Sequence, residues 1–268
     1  DVFDTEGLIA SPPNPKGTKK DILTVIDAYA KDYPNLKRRS AKYPTPGALR
    51  SVTKDGAVDP APRQGFSSPT EGSKWIIQRA RADDPRPVYV LVWGSITDVA
   101  QAVHDAPEIK NKIRVYYIGS WNTRQDPHAR DYLFRRHPDL WLIESNTTFR
   151  GMYMGGKQEG DLGNAAFVRE HVQGHGALGE FFVGKKADIK MGDTPSVLYL
   201  VRGDPDRPES PHWGGQFVKT DHGPHYWTDD PSPRNADAGR PGARTVSHWR
   251  GRYLRDWQRR LDRTLPQH

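Results

Sequence analysis

The sequence predicts an α/β fold with a mostly parallel, open sheet flanked by helices. Residues 88–93 form a continuous apolar and β-branched run, which is typical of a strand covered on both faces in a parallel sheet. Glycine and serine end this run, and apolar side chains at helical spacing follow. Residues 113–118 form a second apolar run. Strand, helix and strand in this order make one βαβ unit, which predicts parallel strands.

Length and composition allow one large α/β domain or two small ones, and we predict a single domain spanning residues 1–268. The chain of 268 residues and 30.3 kDa is long enough to bury a proper core. Its mean hydropathy of −0.83, with 25 Gly and 23 Pro, places the excess polarity in loops. No window approaches the roughly 20 apolar residues of a membrane span, so we predict no membrane partner. The absence of cysteine excludes disulfides, thiol catalysis and zinc–thiolate sites.

The positive charge of the chain does not predict a nucleic-acid partner. A net charge of +7 and a pI near 9.5 suit a nucleic-acid binder. However, Arg and Lys are dispersed among Asp and Glu, and the dense basic clusters are limited to residues 37–39 and the last helix. The sequence contains no RNA- or DNA-binding motif. We therefore expect no nucleic-acid binding; a binder would instead show affinity that falls steeply with salt.

Turn residues and helical spacing predict the amino-terminal elements. Residues 5–11 have the pattern of a strand end that runs into a proline-rich turn. Asp21 then opens a helix with apolar side chains at helical spacing. Residues 33–70 show little periodicity, so we expect a long surface excursion there, and such loops often carry function. Ser73 is predicted to cap the next helix, which leads into the strand at 88–93.

The carboxyl-terminal half continues the alternation of helices and strands with weaker signals. A helix is predicted over residues 126–134 and the third strand over residues 138–143. Residues 201–243 lack a pattern, so we expect an irregular region rich in aromatics and histidine. Residues 244–264 predict an amphipathic helix. The side chains expected on its apolar face are Val246, Trp249, Tyr253, Trp257 and Leu261.

Polar residues follow the predicted strands where ligands bind in open α/β sheets, beyond the carboxyl ends of the strands. Asn122 follows the second strand of the βαβ unit, while Glu144 and Asn146 follow the third strand. These side chains are candidates for binding the hydroxyls of a polyol. The alternative is turn chemistry, for which the same residue types are equally suited.

Asp193 is the strongest single carboxylate candidate. It lies in an acidic turn before an apolar run, and it could ligate a metal or bind a substrate hydroxyl. The alternative is a helix N-cap, because Pro195 two residues later is typical of a helix start. From spacing alone, the N-cap interpretation is favoured.

Two histidines four residues apart invite a zinc interpretation, which the surrounding glycines oppose. His171 and His175 would share one face of a continuous helix, but Gly174 and Gly176 argue against that helix. A structural role is therefore favoured for the pair, and His175 stays a candidate for substrate binding. The chain also lacks a dinucleotide fingerprint, a phosphate loop and a Gly-x-Ser-x-Gly elbow, which disfavours nucleotide cofactors and covalent serine catalysis.

Aromatic residues near the strand ends and in the irregular region could form a sugar-binding surface. Trp121, Trp213 and Trp227 are the candidates, because the C–H face of a sugar stacks on an aromatic ring. The alternative is that these rings fill the core beneath a long loop.

Several segments resemble the nucleoside hydrolase superfamily, which has a Rossmann-like fold. Within it, the resemblance is closer to the nucleoside hydrolase-like branch typified by a bacterial cellulose-binding protein. The segments that resemble this branch occur in the same order along nearly the whole chain, at residues 4–10, 83–94, 174–179, 192–196 and 213–215. Residues 90–100, 113–119 and 126–129, with Asn122, resemble the core of the superfamily.

The resemblance implies a hydrolase that cleaves a glycosidic or N-glycosidic bond through a Ca²⁺-bound water at the strand ends. Carried over by position, Asp193 and the carbonyl of Trp93 would ligate Ca²⁺, and Asn122 would bind the sugar. The substrate would be a small molecule or a polysaccharide. The alternative is a carbohydrate-binding protein without catalysis. The resemblance also leads us to expect a periplasmic or secreted bacterial protein, and a homo-oligomer stays open.

Three departures from the family pattern weigh against a nucleoside substrate. The aspartate-rich first strand of the family, which supplies the catalytic base and two calcium ligands, has no counterpart, and the chain starts where the next strand would begin. The catalytic residues are therefore unknown. Ser120 and Gly192 stand where the family usually has a carboxylate and often a histidine. A carbohydrate ligand is therefore favoured. Calcium titration of this chain and of one extended upstream by an acidic strand tests the metal: tight binding only in the extended chain indicates a hydrolase site, and no binding in either removes the metal mechanism.

Overall fold

The computed structural model describes residues 4–12 and 17–266 of the chain. Within these residues, seven strands form two sheets. The strands are β1 (Leu8–Ala10), β2 (Thr53–Asp55), β3 (Val88–Val92), β4 (Ile113–Ile118), β5 (Leu142–Ser145), β6 (Phe217–Lys219) and β7 (Tyr226–Asp229). β1 and β2 form a parallel pair, while the main sheet has the order β3-β4-β5-β7-β6. All its strands are parallel except β6, which confirms the predicted fold class.

Helices cover both faces of the main sheet. The α-helices are α1 (Lys19–Arg39), α2 (Pro46–Ser51), α3 (Glu71–Ala80), α4 (Thr97–Asp105), α5 (Trp121–Gln125), α6 (Pro127–Arg136), α7 (Asn164–His171), α8 (Gly176–Lys185), α9 (Thr194–Val201), α10 (Arg244–Ser247) and α11 (Arg250–Asp262). Short 3-10 helices lie at Pro107–Asn111, Thr148–Met152, Gly160–Leu162 and Pro233–Asn235. None of the helices in the described segments combines the length and apolarity needed to cross a bilayer.

Alternation of side chains along the strands separates two hydrophobic clusters. On one face, Val90 and Val115 pack against α3, α4 and α6. On the other face, Leu91 and Ile118 belong to a cluster that includes Tyr199 of α9. A third cluster joins α7, α8, α9 and α11. Its buried or half-buried members include the five side chains predicted on the carboxyl-terminal apolar face, so that prediction is confirmed.

Strand β3, which was predicted to be covered on both faces, lies at an edge of the main sheet. Only the last residue of β3, Val92, is fully buried, so the expectation of burial on both faces is wrong for the rest of the strand. Within the described residues, β3 pairs with β4 on one side only. β1 approaches the other side, where the N–H of Ser95 donates to the Ser11 carbonyl at 3.1 Å, without a ladder between the strands.

The segment expected to be an irregular excursion contains regular structure. α1 continues through Pro34 to Arg39, and α2 and β2 follow it. β2 is polar and only three residues long, which explains why no strand pattern is visible. The N-cap of α3 is Thr70, while Ser73 is the reciprocal partner in a capping box, so the predicted cap was three residues too late.

Residues 201–243 also contain structure that the pattern did not show. This region supplies β6 and β7, and β7 lies inside the sheet between β5 and β6. The third predicted strand is shifted toward its carboxyl end, so that Glu144 belongs to β5 and does not follow it. The predicted carboxyl-terminal helix is divided into α10 and α11 at His248 and Trp249.

Candidate functional site

Polar and aromatic side chains collect at the carboxyl ends of β3, β4 and β5 and at the start of α9. We call this group the carboxyl-edge site. Its members are Trp93, Ser120, Trp121, Asn122, Arg150 and Asp193. The parallel register of β3, β4 and β5 brings these segments to one edge of the sheet, as the strand-end argument predicts.

Two indole side chains are exposed at this edge. Trp93 directly follows β3 and is 48% exposed, and Trp121 begins α5 after β4 and is 50% exposed. Among the described residues, Val25 on α1 is the other large hydrophobic side chain that is exposed. The alternation of β3 places Trp93 on the α9 side of the sheet, where its Nε1 donates to Ser196 Oγ at 2.7 Å. Exposed indoles held by a protein hydrogen bond are suited to contact a ligand.

Asn122 joins the turns that follow β3 and β4. Its Nδ2 donates to the Trp93 carbonyl at 3.1 Å and to the Ile118 carbonyl at 2.8 Å. Both amide hydrogens are therefore used inside the protein, and only Oδ1 remains for a ligand. The Trp93 carbonyl, an expected metal ligand, is itself an acceptor in this contact.

Ser120 has an unusual backbone conformation between β4 and α5. Its φ of 57° and ψ of −106° lie where residues other than glycine are rarely found. The Ser120 N–H donates to Asn146 Oδ1 at 2.7 Å, and Arg150 Nη2 donates to Ser120 Oγ at 3.4 Å. Such strained residues persist where neighbouring groups hold them, and they concentrate at functional sites. Asn146 therefore contributes to the site by holding the backbone of Ser120 in this conformation.

Asp193 occupies the N-cap position of α9 but does not cap the helix. The helix start that spacing favoured is therefore confirmed, but the side chain makes no hydrogen bond to the first turn and remains available. The Asp193 carbonyl accepts from Ser196 Oγ, the same hydroxyl that accepts from the Trp93 indole, so the Asp193 backbone and the Trp93 ring share one partner. The carboxyl is accessible to solvent, yet the surrounding protein desolvates it and raises its pKa from the usual 3.8 to about 6.

The raised pKa of Asp193 makes stability fall as the pH rises from about 4 to about 6. In this window the folded state holds a proton that the unfolded state releases. The contribution of this proton to the free energy of unfolding is therefore lost as the pH rises through the folded pKa. Replacing Asp193 by Asn removes the ionisation. We expect equal unfolding free energies near pH 4 and a gain of about 1 kcal/mol at pH 7, after allowing for solvent screening. Urea unfolding at both pH values, with the exposed Asp59→Asn as control, measures this difference; equal stabilities at pH 7 contradict it.

Arg150 brings positive charge to the site without an acidic partner. Its guanidinium lies 5.0 Å from the Phe149 ring centre and donates to Tyr153 Oη at 3.3 Å. Its Nε is buried and has no hydrogen-bond partner. Among residues 4–12 and 17–266, no carboxylate lies within 4 Å of it. Sequence analysis missed Arg150, because an arginine in a 3-10 helix carries no local signal.

Glu144 is committed to the interior of the protein. Its carboxylate accepts from Arg130 Nη2 at 2.8 Å and from the Tyr226 hydroxyl, and the residue is only 4% exposed. The turn after β5 is organised instead by Asp229, which sequence analysis missed. The Asp229 carboxylate accepts from the N–H groups of residues 146–148 at 2.9–3.0 Å. Its role depends on strand β7, which the sequence pattern did not reveal.

The remaining candidates lie outside the carboxyl-edge site. His175 precedes α8 and lies 3.3 Å from Asp262, while His171 contacts Asp161, so the two imidazoles have different partners. Trp213 is half-buried against the third hydrophobic cluster. Trp227 is 5% exposed and packs at 4.9 Å from Trp141, so the sugar-platform interpretation is wrong for this ring and the core interpretation holds.

The described residues do not build a calcium site on their own. The carboxyl-edge site offers one carboxylate, Asp193, and the Trp93 carbonyl, which is already hydrogen-bonded to Asn122. Calcium takes about six to eight oxygen ligands. Among the described residues, one group of acidic and histidine side chains does lie within metal-binding distance: Asp161, Glu170 and His171. These residues belong to the 3-10 helix Gly160–Leu162 and to α7, and not to the turns that follow the strands. The described residues of the carboxyl-edge site therefore do not fit calcium.

Comparison with known proteins agrees with this architecture. Residues 1–217 match the family model described as "Cellulose-binding Sde182, nucleoside hydrolase-like domain". A solved structure, a nucleoside hydrolase-related protein from Saccharophagus degradans associated with carbohydrate metabolism, superposes with a TM-score of 0.76 at 24% identity. The match covers 98% of this chain and 65% of that one. The curated proteins contain no match. The chain therefore belongs to the Sde182 nucleoside hydrolase-like domain family.

Proposed function

We propose that the protein binds a carbohydrate chain at the carboxyl-edge site. The observation that carries this proposal is the pair of exposed indoles, Trp93 and Trp121, at the ends of two neighbouring strands. An indole that stays half exposed in the free protein loses contact with water when the C–H face of a sugar packs on it. Two such rings on one edge suit an extended ligand with several sugar units.

Polar groups around the two indoles can orient the sugars. Asn122 Oδ1 can accept from a sugar hydroxyl, and the Arg150 guanidinium can donate to sugar oxygens through the Nη hydrogens that Tyr153 and Ser120 leave free. The description of the family as cellulose-binding supports a glucan ligand. The association of the Saccharophagus protein with carbohydrate metabolism supports the same ligand class.

Depletion from solution by insoluble cellulose tests this proposal. We expect the wild-type protein to be retained saturably, and retention to persist at high salt, because ring stacking is not screened as phosphate contacts are. Loss of retention on adding a soluble cello-oligosaccharide shows that the binding surface recognises sugar. Retention that disappears with salt and is unaffected by the oligosaccharide would overturn the proposal.

Hydrolysis of a glycosyl bond is the second candidate function, and the chemistry of Asp193 favours it. A carboxyl with a pKa of about 6 is partly protonated near neutral pH and can donate that proton to the leaving oxygen. The bond from the anomeric carbon to that oxygen breaks, a water oxygen bonds to the anomeric carbon, and the proton that this water loses passes to the solvent, from which Asp193 is protonated again. The second carboxylate that most glycosidases use is not found among the described residues of the site.

Asp193→Asn separates hydrolysis from binding. If Asp193 is the proton donor, we expect the release of reducing ends to fall by about 100-fold or more, because general acid catalysis typically contributes 10²–10⁴-fold. Retention on the polysaccharide should stay within about threefold of wild type, since the indoles are untouched. Equal reducing-end release by both proteins would remove Asp193 from the chemistry and leave the binding proposal intact.

A further inference from the structure

A basic pocket lies at the opposite edge of the main sheet, beyond the amino ends of the parallel strands. It has a volume of about 420 Å³. Its cationic lining comes from Lys112 and Arg114, at the start of β4, and from Lys219, at the end of the antiparallel strand β6. This amino-edge pocket is separated from the carboxyl-edge site by the length of the strands.

The three cations of the amino-edge pocket have no carboxylate partner. Lys112 Nζ donates to the Asp84 carbonyl and Arg114 Nη1 to the Ile113 carbonyl at 3.3 Å, and these neutral acceptors leave both positive charges in place. In the described part of the chain, no carboxylate oxygen lies within 4 Å of the charged nitrogens of Lys112, Arg114 or Lys219. Other basic residues nearby are paired: Lys110, for example, lies 2.7 Å from Asp139. The carboxylate in the lining, Asp206, accepts from the Tyr89 hydroxyl at 3.1 Å. The pocket thus carries excess positive charge.

Two buried donors in the same lining also lack acceptors. Arg114 Nε and Trp227 Nε1 are buried without a hydrogen-bond partner. The Arg114 guanidinium lies 5.8 Å from the Trp141 ring centre, and Lys219 Nζ lies 6.0 Å from that of Trp227. Because a buried donor without an acceptor is unfavourable, a ligand that brings acceptor oxygens is favoured at this position.

The pKa of His225, at the rim of the pocket, is lowered by burial and by two of the same cations. Desolvation, and then the positive charges of Arg114 and Lys219, lower the pKa of His225. His225 is therefore neutral near pH 7 and can also accept or donate a hydrogen bond. Asp139, the acidic group acting in the opposite direction, is already paired with Lys110.

We propose that the amino-edge pocket binds an oxyanion, a phosphate or sulfate group. Such a group offers several acceptor oxygens to the guanidinium of Arg114 and the ammonium groups of Lys112 and Lys219. The oxyanion comes either from the free inorganic ion or from an ester on a sugar-sized molecule, for which the volume is also sufficient. This proposal is independent of carbohydrate binding at the carboxyl-edge site.

Calorimetric titration at constant ionic strength with inorganic phosphate, glucose 6-phosphate and glucose tests the proposal. We expect saturable binding of at least one phosphate compound and none of glucose. Affinity that is about tenfold or more higher for the ester identifies an ester as the ligand, and equal affinity identifies the free ion. No saturable binding of either phosphate compound would overturn the proposal.

Charge-neutral variants locate the binding. Arg114→Gln should weaken phosphate binding by about tenfold, and Lys219→Gln by about threefold, because the Lys219 side chain is more exposed. Lys219 Nζ makes no hydrogen bond to the described residues, so this variant keeps the fold. Lys74→Gln removes the same charge from an exposed position on α3 and should leave binding unchanged. Equal affinity in wild type and both pocket variants would place the anion elsewhere and contradict the proposal.

Discussion

Replacing Glu144 by Gln should lower the free energy of unfolding by about 3 kcal/mol. The variant keeps the shape of the side chain but removes the charge that pairs with Arg130 at 2.8 Å. Arg130 is half-buried and stacks at 4.2 Å over Phe134, so it cannot turn to solvent freely. Without Glu144, Arg130 keeps only the more exposed Asp131, at 3.5 Å. Removing the buried member of such a pair costs more than the pair itself contributes. For a chain of this size we expect the melting temperature to fall by roughly 6–12 °C.

Thermal and urea unfolding measure this effect, with Glu108→Gln as the matched control. Glu108 also pairs with an arginine, Arg81, but both side chains are more than half exposed. An exposed pair contributes less than about 1 kcal/mol, so the control should be nearly neutral. If Glu144→Gln unfolds like wild type and loses only retention on cellulose, Glu144 is a ligand-binding residue and the structural role is wrong.

The double variant Trp93→Ala, Trp121→Ala should weaken retention on cellulose by about 100-fold. Each ring that becomes buried against a sugar contributes about 1.5 kcal/mol or more, which is about tenfold in affinity per ring. Trp121→Phe should retain most of the affinity, because it keeps an aromatic face. Binding isotherms on insoluble cellulose measure these changes.

The control for the double variant is Val25→Ala. Val25 is 41% exposed on α1, so this change removes exposed apolar surface away from the sheet edge. It should leave retention unchanged. Trp93 also holds Ser196, so melting temperatures must accompany the isotherms. A folded double variant with wild-type retention contradicts the assignment of the carboxyl-edge site.

Strong local patterns made much of the fold predictable. The apolar runs that became β3 and β4, and the apolar face of the last helices, act through neighbours in sequence. Strand β7 was not predictable in this way. Its four residues lie in a region rich in proline and glycine, and its place in the sheet depends on pairing with β5 far away in the chain.

The location of the candidate site residues was predictable from the sequence, but their hydrogen-bond partners were not. Strand ends indicated Trp93 and Asn122 correctly as neighbours, because parallel strands bring their carboxyl ends together. Asp193 was placed at the site by the family resemblance, and its carbonyl shares the Ser196 hydroxyl with Trp93. The partners of Glu144 could not be predicted, since Arg130 comes from α6 and Tyr226 from β7. Whether a side chain caps a helix or faces a ligand depends on backbone angles that residue spacing does not encode.

Hydrogen–deuterium exchange with and without a soluble cello-oligosaccharide tests the central assignment most directly. It reports which backbone segments the ligand protects, without altering any residue. We expect protection at the segments that carry the carboxyl-edge site, which are residues 93–96, 119–122, 148–153 and 192–196. Protection confined to other segments, such as the loop around Trp213, with unchanged exchange at the strand ends would contradict the account.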